Sequence, residues 1–498
     1  MNASSIDWRE RAARLAVDGR ALIDGRRVDA RDGRSFDCVS PIDGRVLGPV
    51  ARGAAPDVDA AVGAARAAFE DGRWARQPPA ARKRVLQEFA RRIEAAREEL
   101  ALLETLDMGK PIRHALAVDV PATARTIAWY AEAVDKVYDE IAPTGPQALA
   151  LITREAMGVI GAIVPWNYPM IMASWKLGPA LAAGNSVVLK PSEKSPLSAL
   201  RLAELALDAG LPPGVFNVVP GYGHEAGEAL ALHPEVDAIG FTGSTRTGRR
   251  MLEYSGRSNL KRVYNELGGK SAFLVFPDFD DLDRCAATVA GSMFFNQGES
   301  CNAPSRVLVQ AGIADEFAKL VAAEAPKYAP GDPLDATTEL GALVDETQLR
   351  TVLSYIDAGV TEGAAVLAGG TQARADSGGY YVEPTVFDGV RNDMRIAREE
   401  IFGPVLAILR FRDEAEAIRI ANDTSYGLQA SVWSSHLDRA HRVARALRAG
   451  TVHVNQYDED DITVPFGGFK QSGNGRDKSL HAFDKYTELK TTWLRINI

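Results

Sequence analysis

Short apolar runs alternate with amphipathic segments along much of the chain, and this alternation defines the predicted fold. Between residues 159 and 265, β-rich runs such as VIGAIVP and NSVVLKPS are separated by helical stretches such as SALRLAELALDAG. Nearly all-apolar strands that alternate with helices are typical of a parallel sheet covered on both faces. The pattern therefore predicts an α/β fold that binds its ligands at the carboxyl ends of the strands.

The segments around this block have patterns of their own. Residues 56–140 are rich in Ala, Arg, Glu and Leu at helical spacing and predict helices. A second alternating block begins at residue 271 and includes the runs SAFLVF, RVLVQ and PVLAILRF. Isolated strand-like stretches lie near 148–155 and 486–496, and we expect them to pair with each other or with a neighbouring subunit.

One uncharged stretch, from Met157 to Trp175, has the composition of a membrane span. A span needs about 20 apolar residues in one unbroken helix. Pro165 and Pro169 interrupt such a helix. The stretch therefore predicts a buried strand over Val159–Val164, a tight turn and then a helix, and no membrane partner is expected.

Charge and cysteine content narrow the class of protein. The 498 residues carry a formal charge of −9, which argues against nucleic acid or an anionic membrane surface as the main partner. Three cysteines (Cys38, Cys285 and Cys301) are too few for a disulfide framework or a zinc cluster. The charged first twenty residues do not form a signal core. We expect a cytoplasmic protein with room for one reactive thiol.

Four consecutive carboxylates, Asp458 to Asp461, precede an apolar, glycine-rich run in YDEDDITVPFGG. A calcium loop alternates its oxygen ligands around a glycine, and this spacing does not match, so no metal site is expected. If the segment is extended, alternate side chains face opposite ways. We then expect Asp458 and Asp460 to face a pocket, while Glu459 and Asp461 are equally well explained as a solvated loop.

Several polar segments follow predicted strands, where a nucleotide could bind. GYGHEAG, with Gly223 and Gly227, could be a tight turn without a ligand. FTGSTRTG offers backbone N–H groups to a phosphate, although a helix N-cap alone explains Ser244. Lys190 and Glu193 in KPSE could bind a nucleotide ribose, or could be an ordinary surface pair.

Three residues together suggest acyl chemistry. Cys301 lies in a polar, glycine-containing turn, FFNQGESCNAPSR, whereas a structural cysteine more often lies in an apolar run. Glu266 stands before two glycines at a strand end, and Asn167 lies between two prolines. A thiol, a carboxylate and an amide are the nucleophile, base and oxyanion donor that acyl transfer requires.

These motifs bring out a family resemblance. VPWNYP, LKPSE, FTGS, ELGGKS, NQGESC, EEIFGPV, NDTSYGL and PFGGFKQSG occur in this order over almost the whole chain. The sequence resembles the NAD(P)-dependent aldehyde dehydrogenases. Within them it looks most similar to the γ-glutamyl-γ-aminobutyraldehyde dehydrogenases of bacterial putrescine breakdown, and next to the guanidinobutyraldehyde dehydrogenases.

The resemblance implies a catalytic mechanism. Cys301 attacks the aldehyde carbon, and Asn167 with the Cys301 N–H holds the oxyanion. After hydride transfer, Glu266 activates the water that hydrolyses the thioester to a carboxylic acid. Lys176 and Asp477 match a proposed proton-relay pair, although many relatives have Glu at the latter position.

The resemblance also implies an NAD site. Lys190 and Glu193 match the adenosine-ribose ligands, and Glu193 favours NAD because its charge would repel a 2′-phosphate; NADP stays open, since some relatives with Glu accept it. The matching cofactor positions are Val164, Pro165, Trp166, Lys190, Ser192, Glu193, Gly223, Gly227, Phe241, Gly243, Ser244, Leu267, Gly268, Glu400 and Phe402, with Trp166 and Ser244 at the pyrophosphate and Glu400 and Phe402 at the nicotinamide riboside.

Family positions that line the substrate tunnel correspond to Asp119, Tyr168, Met172, Trp175, Phe295, Asp458, Asp460 and Phe466. Aromatic and Met side chains suit an aliphatic chain. Relatives that oxidise simple aldehydes often have an aromatic residue in place of Asp460. We therefore expect Asp460, with Asp119 or Asp458, to select an aldehyde with a cationic or polar tail, such as an ω-amino, γ-glutamylamino or guanidino aldehyde.

Two departures from the family pattern lead to separate predictions. Glu299 occupies a position that is commonly Gln, and a carboxylate facing Cys301 would raise the pKa of the thiol. We therefore expect Glu299 to point away from the sulfur. Tyr264 stands where many relatives have Trp, and only a change in packing is expected there.

The resemblance divides the chain into an NAD-binding domain (1–136 and 156–267), a catalytic domain (268–474) and an oligomerisation module (137–155 and 475–498). A homo-oligomer is expected, either a dimer or a tetramer built as a dimer of dimers. The alternatives are a broad-specificity aliphatic aldehyde dehydrogenase, a cofactor-independent thiol esterase and a non-enzymatic binding role on the same fold.

Overall fold

The computed structural model describes residues 6–497. Its strands are β1 (Ala21–Ile23), β2 (Arg26–Val28), β3 (Ser35–Val39), β4 (Val46–Ala51), β5 (Glu140–Ile141), β6 (Ala148–Ala156), β7 (Val159–Ile163), β8 (Ser186–Lys190), β9 (Phe216–Val218), β10 (Ala238–Thr242), β11 (Arg262–Glu266), β12 (Ala272–Val275), β13 (Arg306–Gln310), β14 (Ala365–Ala368), β15 (Gln372–Ala373), β16 (Tyr381–Val382), β17 (Thr385–Asp388), β18 (Val405–Phe411), β19 (Gln429–Trp433), β20 (Thr451–Val454) and β21 (Thr487–Arg495). Its α-helices are α1 (Trp8–Arg14), α2 (Ala55–Glu70), α3 (Pro79–Ala95), α4 (Arg97–Met108), α5 (Ile112–His114), α6 (Val120–Ala133), α7 (Pro169–Ala183), α8 (Leu197–Asp208), α9 (Glu228–Leu232), α10 (Thr245–Arg257), α11 (Leu282–Phe294), α12 (Ala314–Glu324), α13 (Glu346–Thr361), α14 (Arg395–Arg398), α15 (Glu414–Asn422) and α16 (Leu437–Ala446).

The first sheet has the strand order β11-β10-β7-β8-β9-β1-β2. Strands β7 to β11 run parallel, and β1 and β2 add an antiparallel edge. The chain builds outward from β7 through β8 to β9, then returns to β10 on the other side of β7. Such a reversal leaves a crevice between the carboxyl ends of the two strands, where ligands bind in sheets of this kind. The α/β fold predicted for this block is confirmed.

Helices cover both faces of the first sheet because its strands are apolar throughout. One core contains Tyr130 of α6, Leu177 of α7 and Leu200 of α8, and the other contains Val62 of α2 and Met251 of α10. The second sheet, β14-β17-β18-β13-β12-β19-β20, is parallel except at β14 and also has a core on each face. The chain passes from the first sheet to the second between β11 and β12.

The two strand-like stretches that were expected to pair do so within one chain. Strand β21 pairs antiparallel with β6 from Thr487–Ala156 to Arg495–Ala148, and β5 completes a three-stranded sheet. The uncharged stretch from 157 to 175 forms β7, a turn and the start of α7, as predicted. In the part of the chain that the structure describes, no helix is long and apolar enough to cross a membrane.

Two elements differ from expectation. The N-terminal strands β1 to β4 were not predicted, because they are only three to six residues long. The acidic run was expected to be extended, but Asp458 has a φ of 59°, in the left-handed region. The predicted alternation of side chains along residues 458–461 is therefore wrong in its geometry.

Candidate active site

Cys301 lies in a turn whose backbone is held in an uncommon conformation. Helix α11 ends at Phe294, and the 3₁₀ segment Phe295–Gly298 follows with φ values of 49° at Asn296, 59° at Gln297 and 68° at Gly298. A non-glycine residue in this region costs about 1–3 kcal/mol, and such strain is concentrated at functional sites. The strained turn presents the partly exposed Cys301 thiol, and the backbone of Gly269 packs against the Cys301 carbonyl.

Asn167 is fixed beside this turn by two amides. Its Nδ2 donates to the Glu299 carbonyl at 2.9 Å, which leaves its second N–H available. Asn296 Nδ2 donates to the carbonyls of Asn167 and Glu299 at 3.0 and 3.1 Å. Asn296 was not singled out from the sequence, although it lies inside the quoted motif. Its amide holds the Cys301 turn and the Asn167 turn at a fixed separation.

Glu266 ends β11 as a buried carboxylate. Among residues 6–497, neither of its side-chain oxygens has a hydrogen-bond partner. Burial raises the pKa of Glu266 well above its usual range, and the charge of Asp477 acts in the same direction. Burial also raises the pKa of the Cys301 thiol, to which the charges of Glu400 and Glu266 add. The thiol therefore needs a base before it can attack.

Asp477 lies between two buried lysines next to Glu266. Lys176 of α7 donates to its Oδ2 and Lys485 to its Oδ1. Burial disfavours the charge, but the two lysines outweigh it and hold the pKa of Asp477 below its usual range. The predicted pairing of Lys176 with Asp477 is present, whereas Lys485 was missed because a lysine in a charged C-terminal segment gives no sequence signal of burial.

One group of predicted cofactor residues lies beyond the carboxyl ends of strands in the first sheet. Val164, Pro165 and Trp166 follow β7, whereas Gly243 and Ser244 follow β10. Lys190 ends β8, and its Nζ lies 3.1 Å from the Glu193 carboxylate. Ser244 caps α10 by accepting from Thr247 N at 3.3 Å, so its alternative explanation as a helix N-cap also holds. Gly223 and Gly227 lie in a π-helical turn with open space where a side chain would be.

A second group of predicted cofactor residues lies in the loops that follow β7 and β11 and in the loop that precedes β18. The Trp166 and Phe402 rings lie 5.2 Å apart, edge to face. Glu400 Oε1 accepts from Gly269 N at 2.9 Å, and a side chain at Gly268 would collide with the same carboxylate. Burial raises the pKa of Glu400 to about 7. Ser192, Phe241 and Leu267 are buried beside these residues along the same strand ends.

Glu299 is directed away from the Cys301 sulfur, as predicted. Its Oε1 accepts from Val344 N at 3.0 Å, and burial raises its pKa well above the usual range. Tyr264 is partly buried against the first core, in line with the expected change in packing.

Several residues predicted to line the substrate tunnel, together called the sleeve, contact other aromatic or polar side chains. The Trp175 and Phe466 rings lie 5.0 Å apart, and Tyr168 OH lies 3.4 Å from Ser300 Oγ, next to Cys301. Met172 is buried one turn before Trp175 on α7, and Phe295 packs against the His114 ring at 4.7 Å. Tyr168 therefore contacts the residue directly before Cys301.

The acidic residues predicted to meet the substrate differ in their partners. Asp119 is buried and paired with Lys110, and Asp460 is paired with Lys478. Asp458 Oδ1 instead accepts from Asn302 Nδ2 at 2.6 Å, and no lysine or arginine in residues 6–497 forms an ion pair with it. The Asp458 residue as a whole is exposed, whereas burial of its carboxyl group raises the pKa of Asp458 to about 7.

These partners determine which of the three carboxylates is available to bind a cationic tail. Both Asp119 and Asp460 are neutralised by a lysine in this state, so they would have to exchange partners before binding a cationic tail. Asp458 needs no such exchange. Its hydrogen bond to Asn302 also links it to the turn that carries Cys301, because Asn302 directly follows that cysteine. Over the same range, no group of three or more His, Cys, Asp or Glu side chains is arranged to hold a metal ion.

The model of the aldehyde dehydrogenase family matches residues 28–492. A thiol in a strained turn, a buried carboxylate and a fixed amide beside a doubly wound sheet are consistent with that match. The chain belongs to the aldehyde dehydrogenase family and is an oxidoreductase.

Individual relatives match over nearly their whole length. The chain is 53% identical over 489 residues to NADP/NAD-dependent aldehyde dehydrogenase PuuC of Escherichia coli, covering 98% of each. A solved γ-glutamyl-γ-aminobutyraldehyde dehydrogenase from Burkholderia cenocepacia is 58% identical with a TM-score of 0.97, covering 99% of each chain. A mutant of the P. syringae indole-3-acetaldehyde dehydrogenase AldA, solved with NAD+ and IAA, is 58% identical with a TM-score of 0.98, covering 98% of this chain and 99% of that one.

Proposed function

We propose that this aldehyde dehydrogenase uses NAD to oxidise aldehydes with a cationic tail, of the kind formed in polyamine breakdown, to carboxylic acids. The observation that supports this tail is Asp458, a carboxylate at the open end of the sleeve that has no cationic partner in the described residues and is tied through Asn302 to the Cys301 turn. The name of the Burkholderia enzyme, γ-glutamyl-γ-aminobutyraldehyde dehydrogenase, agrees with this substrate class.

Cys301 is the proposed nucleophile. As its Sγ bonds to the aldehyde carbon, the thiol proton passes to Glu266 and the carbonyl electron pair moves to oxygen. The second N–H of Asn167 and the Cys301 N–H can then bind the resulting oxyanion. Pre-positioned donors of this kind are worth about 10²–10³-fold in rate each.

Glu266 is the proposed base for hydrolysis. It removes a proton from water, the water oxygen bonds to the thioester carbon, and the C–S bond breaks to return Cys301. Its raised pKa suits this role, because a general base works best with a pKa near the operating pH. Asp477 and Lys176 adjoin Glu266 and can pass its proton onward through their buried ion pair.

The crevice residues fit a dinucleotide. The Glu193 carboxylate and Lys190 ammonium at the end of β8 can bind ribose hydroxyls, and the α10 N-terminus at Ser244 can face a pyrophosphate. Glu193 supports NAD over NADP because its charge opposes a 2′-phosphate. NAD, when bound, supplies the acceptor for the hydride released by the oxyanion adduct.

The test compares aldehydes with and without a tail charge. NADH formation at 340 nm is followed for 4-aminobutanal, guanidinobutanal and hexanal, in the wild type and in Asp458→Asn. We expect the variant to lose roughly 10–100-fold in kcat/KM for the charged aldehydes and little for hexanal. The wild-type preference should also increase as the pH rises through about 7, where Asp458 becomes anionic.

Other outcomes would favour the alternatives. An unchanged preference in Asp458→Asn would contradict the cationic tail, and a preference for indole-3-acetaldehyde would favour the chemistry named for AldA. Ester hydrolysis without NADH formation from any aldehyde would indicate the thiol esterase.

We also propose that the three-stranded sheet mediates homo-oligomerisation of a cytoplasmic enzyme. Its exposed apolar residues include Ile141, Leu489 and Trp493, which are 70%, 60% and 67% exposed. Leu489 and Trp493 share one face of β21, whereas Ile141 lies on the opposite face of the sheet. Exposed apolar patches are typical of a protein interface. We propose the same domain limits as those implied by the family resemblance. Light scattering would distinguish a monomer, a dimer and a tetramer.

A further inference from the structure

Lys478 is a buried cation in the wall of the substrate sleeve. Its side chain is only 2% exposed, whereas its partner Asp460 is 61% exposed. The Lys478 ammonium lies 5.6 Å from the centre of the Trp175 ring, and Trp175 contacts Phe466. An ammonium over an aromatic face is attracted to it. Lys478 therefore lies beside Trp175 and Phe466, two of the residues proposed to surround the substrate chain.

The backbone at Lys478 is conformationally strained. Lys478 and Ser479 have φ values of 63° and 51°, two consecutive left-handed residues without glycine. Hydrogen bonds hold them on both sides: Asp477 and Phe466 bond to each other through both backbone N–H groups at 2.7 and 2.8 Å, and Ser479 N donates to Ile462 O at 2.7 Å. Strain held in this way marks positions whose direction matters.

Charges of both signs meet at this end of the sleeve. Asp458 and Asp460 supply negative charge, and Lys478 supplies the positive charge. Asp461 hydrogen-bonds to the backbone and hydroxyl of Thr463 at 2.8 and 2.6 Å, so it turns away from the sleeve. A tail with one cationic group would leave Lys478 bound to Asp460. A tail that also carries a carboxylate can offer Lys478 a new partner, because the exposed Asp460 side chain can swing into solvent.

We propose that Lys478 selects aldehydes whose distal end bears a carboxylate beside the ammonium, as the α-amino-acid end of a γ-glutamyl group does. The substrate carboxylate replaces Asp460 on Lys478, and the substrate ammonium meets Asp458. This inference rests on the proposed function and refines its substrate class, since an ω-amino aldehyde would use only half of the site.

Three aldehydes of equal length separate the two charges. The γ-glutamyl amide of 4-aminobutanal carries both groups, the 4-aminobutanoyl amide lacks the carboxylate, and the glutaryl amide lacks the ammonium. Values of kcat/KM are measured for wild type, Lys478→Met, Lys478→Arg and the control Lys327→Met, which removes an exposed lysine that follows α12. The thermal midpoint of each variant is recorded.

We expect Lys478→Met to lose roughly 10–100-fold for the two carboxylate-bearing aldehydes and less than about threefold for the 4-aminobutanoyl amide. Lys478→Arg should restore most of the loss. In Asp460→Asn, Lys478 is freed from its partner, so the carboxylate-bearing aldehydes should gain activity. This opposite change tests the inference even if Lys478→Met fails to fold.

If Lys478→Met loses activity equally for all three aldehydes, Lys478 only supports the structure. If Lys478→Met and Asp460→Asn both keep the wild-type preference among the three aldehydes, Lys478 does not contact the substrate carboxylate. Either result overturns this inference alone, provided that the wild type prefers ammonium-bearing aldehydes. A wild type indifferent to the ammonium would overturn the proposed function as well.

Discussion

Replacing Asp477 by asparagine removes the charge that faces Lys176 and Lys485 in the interior. The amide has nearly the same shape and can still accept a hydrogen bond from one lysine, so the perturbation is mainly electrostatic. Both lysines are buried, at 1% and 5% side-chain exposure, and Asp477 is fully buried. The two ammonium groups would then remain in the interior without the carboxylate that neutralises them.

The expected loss of stability follows from this burial. Removing one partner of a buried ion pair typically costs about 3–5 kcal/mol, because an uncompensated charge is left behind. In a large domain this corresponds to a fall in melting temperature on the order of 10 °C. The matched control is Glu155→Gln, whose partner Lys490 is 59% exposed; exposed pairs contribute only about 0–1 kcal/mol.

The contribution of Asp477 to stability depends on pH in a defined direction. Because the folded state lowers the pKa of Asp477, its contribution to stability is present above the ordinary pKa of a carboxyl group. It is lost as the pH falls through the lower folded value. The difference in stability between wild type and Asp477→Asn should therefore be largest near neutral pH and shrink in acid.

The same substitution should move the pH profile of catalysis. Asp477 raises the pKa of Glu266, whereas Lys176, Lys485 and Arg476 lower it. Without the charge of Asp477, the pKa of Glu266 should fall, so the acid limb of the kcat profile should shift to lower pH.

The assay combines differential scanning fluorimetry with kcat measured from pH 5 to 9 at saturating NAD. A loss of stability no larger than that of Glu155→Gln would refute the argument from burial. An acid limb that moves to higher pH would refute the assignment of Glu266 as the titrating base.

Two further substitutions test the roles at the thiol. Glu266→Gln should slow steady-state turnover by about 10²–10⁴-fold and should also slow the burst of NADH seen in stopped flow, because both the thiol proton and the water proton pass to this base; a burst that stays rapid would show that another group accepts the thiol proton. Glu299→Gln should change kcat/KM at neutral pH by no more than roughly threefold, since Glu299 is bound to Val344 N and away from the sulfur, and a sharp increase would contradict this.

The structural features that depend on a local sequence pattern could be predicted. The parallel strands β7 to β11 lie where apolar runs end in glycine or proline, and Cys301, Glu266 and Asn167 were identified because turns and strand ends expose their chemistry. The strands β1 to β4 were missed because short hairpins derive their order from the surfaces they pack against, and nothing in their own alternation indicates it.

The charged residues show where local pattern is insufficient. Four carboxylates in a row suggested repulsion relieved by a positive substrate, but the structure gives three of them partners within the chain: Asp460 pairs with Lys478, Asp461 accepts from Thr463, and Asp458 accepts from Asn302. The partner of Asp460 lies 18 residues away, in a charged segment that resembles an ordinary surface. A buried lysine is recognisable only through the fold that surrounds it, so the specificity of this site depends on pairings that no single stretch of sequence contains.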